Sequence, residues 1–423
     1  MTDQLAIAGG APIRPAGYPD WPVFDARDEA QLLAVLRGGR WGGYPEPGPY
    51  NAQFCEQFAK FQGSKYGILM VNGTVTMEVA LKALGIGWGD EVIVPGLTFA
   101  ATAYAPMAAG AVPVVVDIDQ RSWGIDAEAV EAAITPRTRA IIPVHAGQIV
   151  CDMDALTAIA KRHGLAIIED CAHSPGKMWR GRGIGSFGEF GSFSHQSSKI
   201  LTAGEGGTLL TDDEALARRA HSIIDCGRPK DPEGREYNFG CNYRLGELHA
   251  ALLVSQLEKF PQQMEERAEN ARYFMQRLAD VPGVRALHLD ERVTRLSFYR
   301  FIVAINPAAF AGVPNRVVCE ALDAEGVGCW VGYDPMSQYP LFQPHLSRLP
   351  VAVEYADKLN PKSWSLPVAE QAALFEQIYL DEAIFRAGKK GVDDTIDAFL
   401  KLQRNPDALR ALARKMNVAV ATS

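Results

Sequence analysis

The stretch "DEVIVPGLTFAATAYAPMAAGAVPVVVDID", Asp90–Asp119, decides the fold. It opens and closes on unbroken apolar runs, "VIV" and "VVV", with an alanine-rich segment between them. A strand that is apolar at successive residues needs cover on both faces, which a parallel sheet between two helix layers supplies. The pattern recurs downstream: "VPVVVDID" precedes "IDAEAVEAAI", "RAIIPVH" precedes "CDMDALTAIAKRHG", and "LAIIED" follows. Strand, helix, strand at this spacing predicts right-handed crossovers and a mostly parallel central sheet with helices on both faces, an α/β fold. Upstream, "EVALKALGIGWGD" reads as a helix stopped by glycine that feeds the first of these strands.

Polar residues stand where these strands end: Asp117, Asp119, His145, Glu169 and Asp170. Each alone reads equally as a helix cap or a solvated loop residue. Ligands of open α/β sheets bind beyond the carboxyl ends of the strands, so together they predict one site fed by several loops.

Outward from this core the pattern changes. Residues 1–40 are rich in Pro and Gly with few periodic runs and read as an N-terminal arm, leaving 41–260 as the large domain. A long helix is expected over roughly 245–280, with Pro261 in "QLEKFPQQMEERAENARYFMQRLAD" as a kink or break. The boundary is placed within that helix, with 261–423 as a smaller C-terminal α+β domain and the tail "VAVATS" expected to fray.

Composition excludes several functions. Among 423 residues, 48% are hydrophobic and 22% charged, and the net charge of −8 argues against general affinity for nucleic acid or anionic membranes. No apolar run approaches the ~18 residues of a membrane span, and the opening lacks the form of a secretory signal. The seven cysteines form no CxxC pair and the histidines no HxxxH or HExxH spacing. No metal is expected, and the thiols read as reduced in a cytoplasmic protein.

Three short motifs carry chemistry. "VNGTVTMEVAL" sets Asn72, Gly73 and Thr74 before a helix, where free N–H groups and the helix dipole form an anion pocket, although Thr74 reads equally as an N-cap. "LAIIEDCAHSPG" ends a buried strand on Glu169 and Asp170, which point opposite ways; one of them facing the site would hold a cationic ring nitrogen. His173 then reads as a ligand contact or as a turn histidine bonded to backbone. "SHQSSKILTAGEGG" carries Lys199, five residues after Ser194 and before a glycine-rich turn. A lysine near an anion pocket and a strand-end aspartate fits a Schiff base with an aldehyde cofactor, and the signals together point to pyridoxal phosphate.

Five ordered motifs make the reading more specific: "NGTVTMEVALKALGIGWGDEVIVPGLTFAAT", "ITPRTRAIIPVHAGQIVCDMDAL", "IIEDCAHSPG", "FSHQSSKILTAGEGGTLLTDD" and "GCNYRLGELHAA". Over residues 4–345 the chain resembles the sugar aminotransferase family named for DegT, DnrJ, EryC1 and StrS, of the aspartate aminotransferase fold (fold type I). The resemblance implies Lys199 as the Schiff-base lysine, Asp170 as partner of the pyridine nitrogen, Phe99 stacked on the ring and His173 near the phenolic oxygen. Gly73, Thr74 and Ser194 would bind the phosphate, together with Asn242 of a neighbouring subunit, which implies a homodimer with shared sites. His195 departs from the family's usual aromatic or small residue, as a packing substitution or as a change in how the lysine's strand sits.

The opening "LAIAGGAPIRP", with "RWGG" and "TRLSFYRFIVAINPAAFAGV", resembles the branch of inosose aminotransferases of aminocyclitol antibiotics and aminohydroxybenzoate synthases. It implies L-glutamine or L-glutamate as donor and a cyclitol (scyllo-inosose type) or unactivated keto sugar as acceptor, ahead of a nucleotide-linked keto sugar. Trp41, Tyr44 and Tyr333 are candidate substrate contacts by position, and Arg244 is the candidate for the donor carboxylate; packing and a structural salt bridge are the competing roles. Two rivals remain: a dehydratase that aromatises its product, and a non-catalytic regulator, which would need a damaged cofactor pocket.

Overall fold

The computed structural model describes residues 3–44 and 46–419. Seven strands form the central sheet: β1 (Tyr66–Met70), β2 (Glu91–Pro95), β3 (Val112–Val116), β4 (Thr138–Ile141), β5 (Ala166–Asp170), β6 (Phe190–Ser194) and β7 (Gly207–Thr211). Their order is β1-β7-β6-β5-β4-β2-β3, and β7 alone runs antiparallel to its neighbours.

The helices that flank this sheet are α1 (Ala26–Gly38), α2 (Pro49–Gln62), α3 (Gly73–Ala83), α4 (Ala101–Ala109), α5 (Ala127–Ala132), α6 (Met153–His163), α7 (Glu214–Ile224) and α8 (Glu247–Arg277). Successive strand residues serve opposite cores. Ile68, Met70, Val92, Val94 and Ile168 pack with α3, α4 and α7. Leu69, Ile93, Ile141 and Ile167 pack with α2, α6 and α8 on the other side. The two-sided burial explains the unbroken apolar runs, because each residue faces hydrocarbon whichever way it points.

A second, antiparallel sheet follows: β8 (Val284–Ala286), β9 (Arg300–Ile305), β10 (Cys329–Trp330) and β11 (Gln377–Asp381), in the order β8-β9-β11-β10. It packs with α9 (Asn315–Ala324), α10 (Gly388–Gln403) and α11 (Pro406–Lys415). Strand β9 joins the two units, since Phe301 and Val303 enter the smaller core while Ile302 and Ala304 enter the larger. Helix α8 passes from one core to the other between Met264 and Ala268.

Two sequence expectations need correction. Pro261 does not break α8, which runs through it uninterrupted, held by Phe260 and Met264 buried on either side. The N-terminal segment holds more structure than its Pro and Gly content suggests. Leu5 is fully buried in the smaller core, and α1 starts on a capping box in which Asp25 and Asp28 each accept a backbone N–H of the other's turn. Asp28 then pairs with Lys259 of α8 in a buried contact. The tail also begins buried, at Val418, while its last four residues lie outside the described residues.

Candidate active site

Beyond the carboxyl edge of β5 and β6 lies a cavity of about 480 Å3. Gly73, Thr74, Phe99, Asp170, His173, Ser194, Lys199 and Tyr333 all line it. Helix α3 starts here because extended Asn72 caps it, accepting from the N–H groups of Thr74 at 3.1 Å and Val75 at 2.9 Å. The cap is therefore Asn72 and not Thr74. Gly73 allows a close approach: a Cβ there would stand 2.7 Å from that of Ser194 at the end of β6.

Asp170 accepts from the Thr102 hydroxyl at 2.9 Å and the Ala172 N–H at 3.1 Å. Burial pushes its carboxyl above the usual range, against the pull of these donors and of Lys199. Glu169 faces the opposite side, where it accepts the N–H groups of Gly185, Phe187 and Gly188. Among the described residues, His145, Glu169 and Cys171 bring three metal-type donor atoms within 4.8 Å of one another. The Glu169 oxygens already hold those three amides, so the group secures the turn at 185–188.

Lys199 follows β6 on a loop, with Nζ 4.1 Å from the centroid of the Tyr299 ring. Burial lowers its ammonium to about 7, with Asp170 opposing the shift and Arg300 adding to it. His195 ties this loop down. Its Nδ1 donates to the Leu201 carbonyl at 3.1 Å, its Nε2 accepts from the Thr208 hydroxyl at 2.8 Å, and its ring packs edge-on to Phe54 and Phe58. Burial pulls its pKa down to about 4, so it is a neutral packing residue.

His173 is held in one tautomer. Its Nδ1 accepts from the Gly147 N–H at 3.2 Å, which leaves Nε2–H to donate to the Tyr333 hydroxyl at 3.1 Å. Burial, then Lys199, keeps it well below the ordinary histidine value. Gly147 is itself fixed, because buried Lys177 donates to the carbonyls of Gly147 and Ile149, each at 2.8 Å.

Four sequence candidates lie elsewhere in this chain. Trp41 and Tyr44 are exposed. The Tyr44 ring lies under the guanidinium groups of Arg228 and Arg244 at 4.8 and 5.8 Å. Arg244 pairs with Asp225, which Arg228 and Lys230 also contact, and Asn242 bridges to the Asp225 backbone. None of the four lines the cavity. Conversely, Tyr299 and Trp330 complete its wall from the smaller unit. The sequence assigned a site role to neither, although Tyr299 lies in the stretch "TRLSFYRFIVAINPAAFAGV" that carries the branch resemblance, and their proximity to Lys199 is purely tertiary.

The cavity lies in the size range of cofactor sites. Its donor set suits pyridoxal phosphate: an amine, a buried carboxylate and a helix N-terminus whose glycine admits close approach. A mostly parallel sheet with these groups beyond its carboxyl edge is the arrangement of the fold type I enzymes, among them the aminotransferases. The chain belongs to the DegT/DnrJ/EryC1/StrS aminotransferase family, whose profile matches residues 23–384, and membership implies pyridoxal phosphate as cofactor.

It is 42% identical over 419 residues to a protein of Streptoalloteichus tenebrarius named provisionally as an L-glutamine:3-amino-2,3-dideoxy-scyllo-inosose aminotransferase, covering 97% of this chain and 100% of that one. It is 38% identical over 420 residues to the L-glutamine:scyllo-inosose aminotransferase of Streptomyces griseus, covering 96% and 99%. The crystal structure of 3-amino-5-hydroxybenzoic acid synthase superposes with a TM-score of 0.82 at 29% identity, covering 94% of this chain and all of that one.

Proposed function

We propose that this aminotransferase moves an amino group from L-glutamine or L-glutamate to the ketone of a cyclitol of the scyllo-inosose type, by a ping-pong mechanism. The observation that carries the reading is the meeting of the Lys199 amine and the Asp170 carboxylate in one buried cavity at the start of α3. The full-length similarity to inosose aminotransferases supports the choice of acceptor.

Bound pyridoxal phosphate supplies the electron sink that stabilises negative charge on the donor's α-carbon. The chain's own residues do the rest. Asp170 would keep the ring nitrogen protonated. Lys199, its amine lowered by burial to about 7 and so about half neutral near that pH, would take the α-proton and deliver it to the carbon on the other side of the nitrogen. Gly73, Thr74 and Ser194 would hold the phosphate at the helix N-terminus, Phe99 would pack on the ring and His173 would hydrogen-bond its phenolic oxygen. The partner subunit's Asn242 completes the phosphate site in a homodimer. Trp41, Tyr44 and Arg244 would face the neighbouring cavity in that dimer.

The test is the absorbance of the purified protein between about 300 and 500 nm. L-glutamine should bleach the long-wavelength cofactor band and scyllo-inosose should restore it, with a product about one mass unit heavier than its ketone, as exchange of the carbonyl oxygen for H and NH2 requires. A band indifferent to glutamine and glutamate overturns the donor assignment. Further loss of water from the product favours the dehydratase instead.

A further inference from the structure

Tyr299 stands at the point where the smaller unit meets the lysine's loop. It immediately precedes β9, whose alternate residues are anchored in both cores, so its backbone has little freedom. Its hydroxyl lies 2.7 Å from that of Ser198, the residue before Lys199, and His173 packs against its ring at 4.8 Å. The ring is thus held at its edge, at one face and through its backbone.

We propose that Tyr299 is a positioning residue that holds the Lys199 amine over the face of its ring whenever that amine is not bonded to the cofactor. The inference rests on Lys199 being the reactive lysine. Over a full turnover such a lysine would leave its bond in the first half-reaction, carry a proton in both, and re-form the bond only at the end of the second, so it spends most of the cycle unbonded. A four-carbon stem free to swing would lose the orientation on which proton transfer depends. The negative face of an aromatic ring attracts an ammonium from a fixed direction and stays compatible with the neutral amine. Nζ at 4.1 Å from the centroid lies well inside the ~6 Å range of that attraction.

The charges around Nζ leave the ring a distinct role. Asp170 attracts the ammonium from β5, while Arg300 repels it from β9 and also lies over Tyr299, with Cζ 4.8 Å from the centroid. Asp381 pairs with Arg300 and offsets that repulsion. His173 and Tyr333 are neutral. Lys177 is committed to the carbonyls of Gly147 and Ile149. Among these groups Tyr299 is the one that touches Nζ without competing for its proton.

The experiment uses the cofactor-free full chain. The rate at which a small amine-reactive reagent labels Lys199 is followed against pH by peptide mass mapping, with and without pyridoxal phosphate. Tyr299→Phe keeps the ring and should keep the labelling midpoint of the parent. Tyr299→Leu removes the ring and should lower the midpoint by about one pH unit, a tenfold change in protonation, and cut kcat more than it changes KM for the donor.

A shape-preserving series, Tyr299→Phe with none, one or three ring fluorines, should lower the midpoint stepwise as the face loses negative charge, and it carries the test if Tyr299→Leu does not fold. An unchanged or raised midpoint in the ring-deficient and fluorinated variants overturns the role of Tyr299. Failure of pyridoxal phosphate to protect Lys199 from the reagent in the parent would instead overturn Lys199 as the reactive lysine.

Discussion

A lysine amine attacks an aldehyde only when neutral, so on the role proposed for Lys199 its environment sets when pyridoxal phosphate is taken up. With burial holding the ammonium at about 7, the rate of pyridoxal phosphate uptake by the cofactor-free protein should rise with pH up to about 7 and flatten above it. Stopped-flow absorbance checks this, and a rate still climbing past pH 9 would indicate an ordinary solvated lysine. Lys199→Ala should lower kcat by at least the roughly 10²–10⁴-fold typical of a lost proton-transfer group, while phosphate contacts still retain the cofactor non-covalently. Lys199 and Asp170 were legible in the sequence because each stands in a short motif whose neighbours share its task. Tyr299 was not, because its relation to Lys199 exists only once two distant strands are in place. His195 was legible as a departure with two readings, a packing substitution or a change in how the lysine's strand sits. Its satisfied ring nitrogens and edge-on phenylalanines favour the first.

At the scale of elements, the approach of α3 to the end of β6 depends on the missing side chain of Gly73. Gly73→Ala would press a methyl to within 2.7 Å of Ser194 and shift the helix N-terminus from the place proposed for the phosphate. Cofactor affinity should fall about tenfold or more while thermal stability changes little, as equilibrium dialysis and a melting curve would show.

The loop at 147–149 depends on a buried amine instead. Lys177→Met would strip the Gly147 and Ile149 carbonyls of their donor, costing roughly 1–3 kcal/mol. The pH dependence has a definite sign. Folding lowers the Lys177 ammonium to about 7 from an ordinary value near 10.5, so between these values the unfolded chain binds more protons. The stability advantage of the parent over Lys177→Met should therefore widen as pH rises from 7 toward 10, read from urea unfolding of both proteins. The parallel strands were legible because two-sided burial writes an unbroken apolar run. Helix α1 was not, because its cap uses two aspartates in a polar stretch and its stability comes from docking on α8 through Asp28 and Lys259.

At the scale of the molecule, one region has no role in the cavity of its own chain. Tyr237 and Phe239 are exposed at 75% and 95%, Trp41 and Tyr44 are exposed as well, and Asn242 lies a few residues further on. Large aromatics left in water at the end of a segment that carries an expected phosphate contact fit a surface covered by a second copy of the chain. A two-fold dimer with shared sites makes a prediction that a monomer or an independent-site dimer does not. Lys199→Ala and Asn242→Ala each disable a different chain's share of the same site. When the two variants are mixed, unfolded and refolded together, half the dimers are mixed, and each mixed dimer holds one intact site and one doubly damaged site. Activity should return to about a quarter of the parent's from two nearly inactive proteins. If each cavity used only its own chain's Asn242, mixing would restore nothing, and Asn242 would act within its own chain or serve the fold alone.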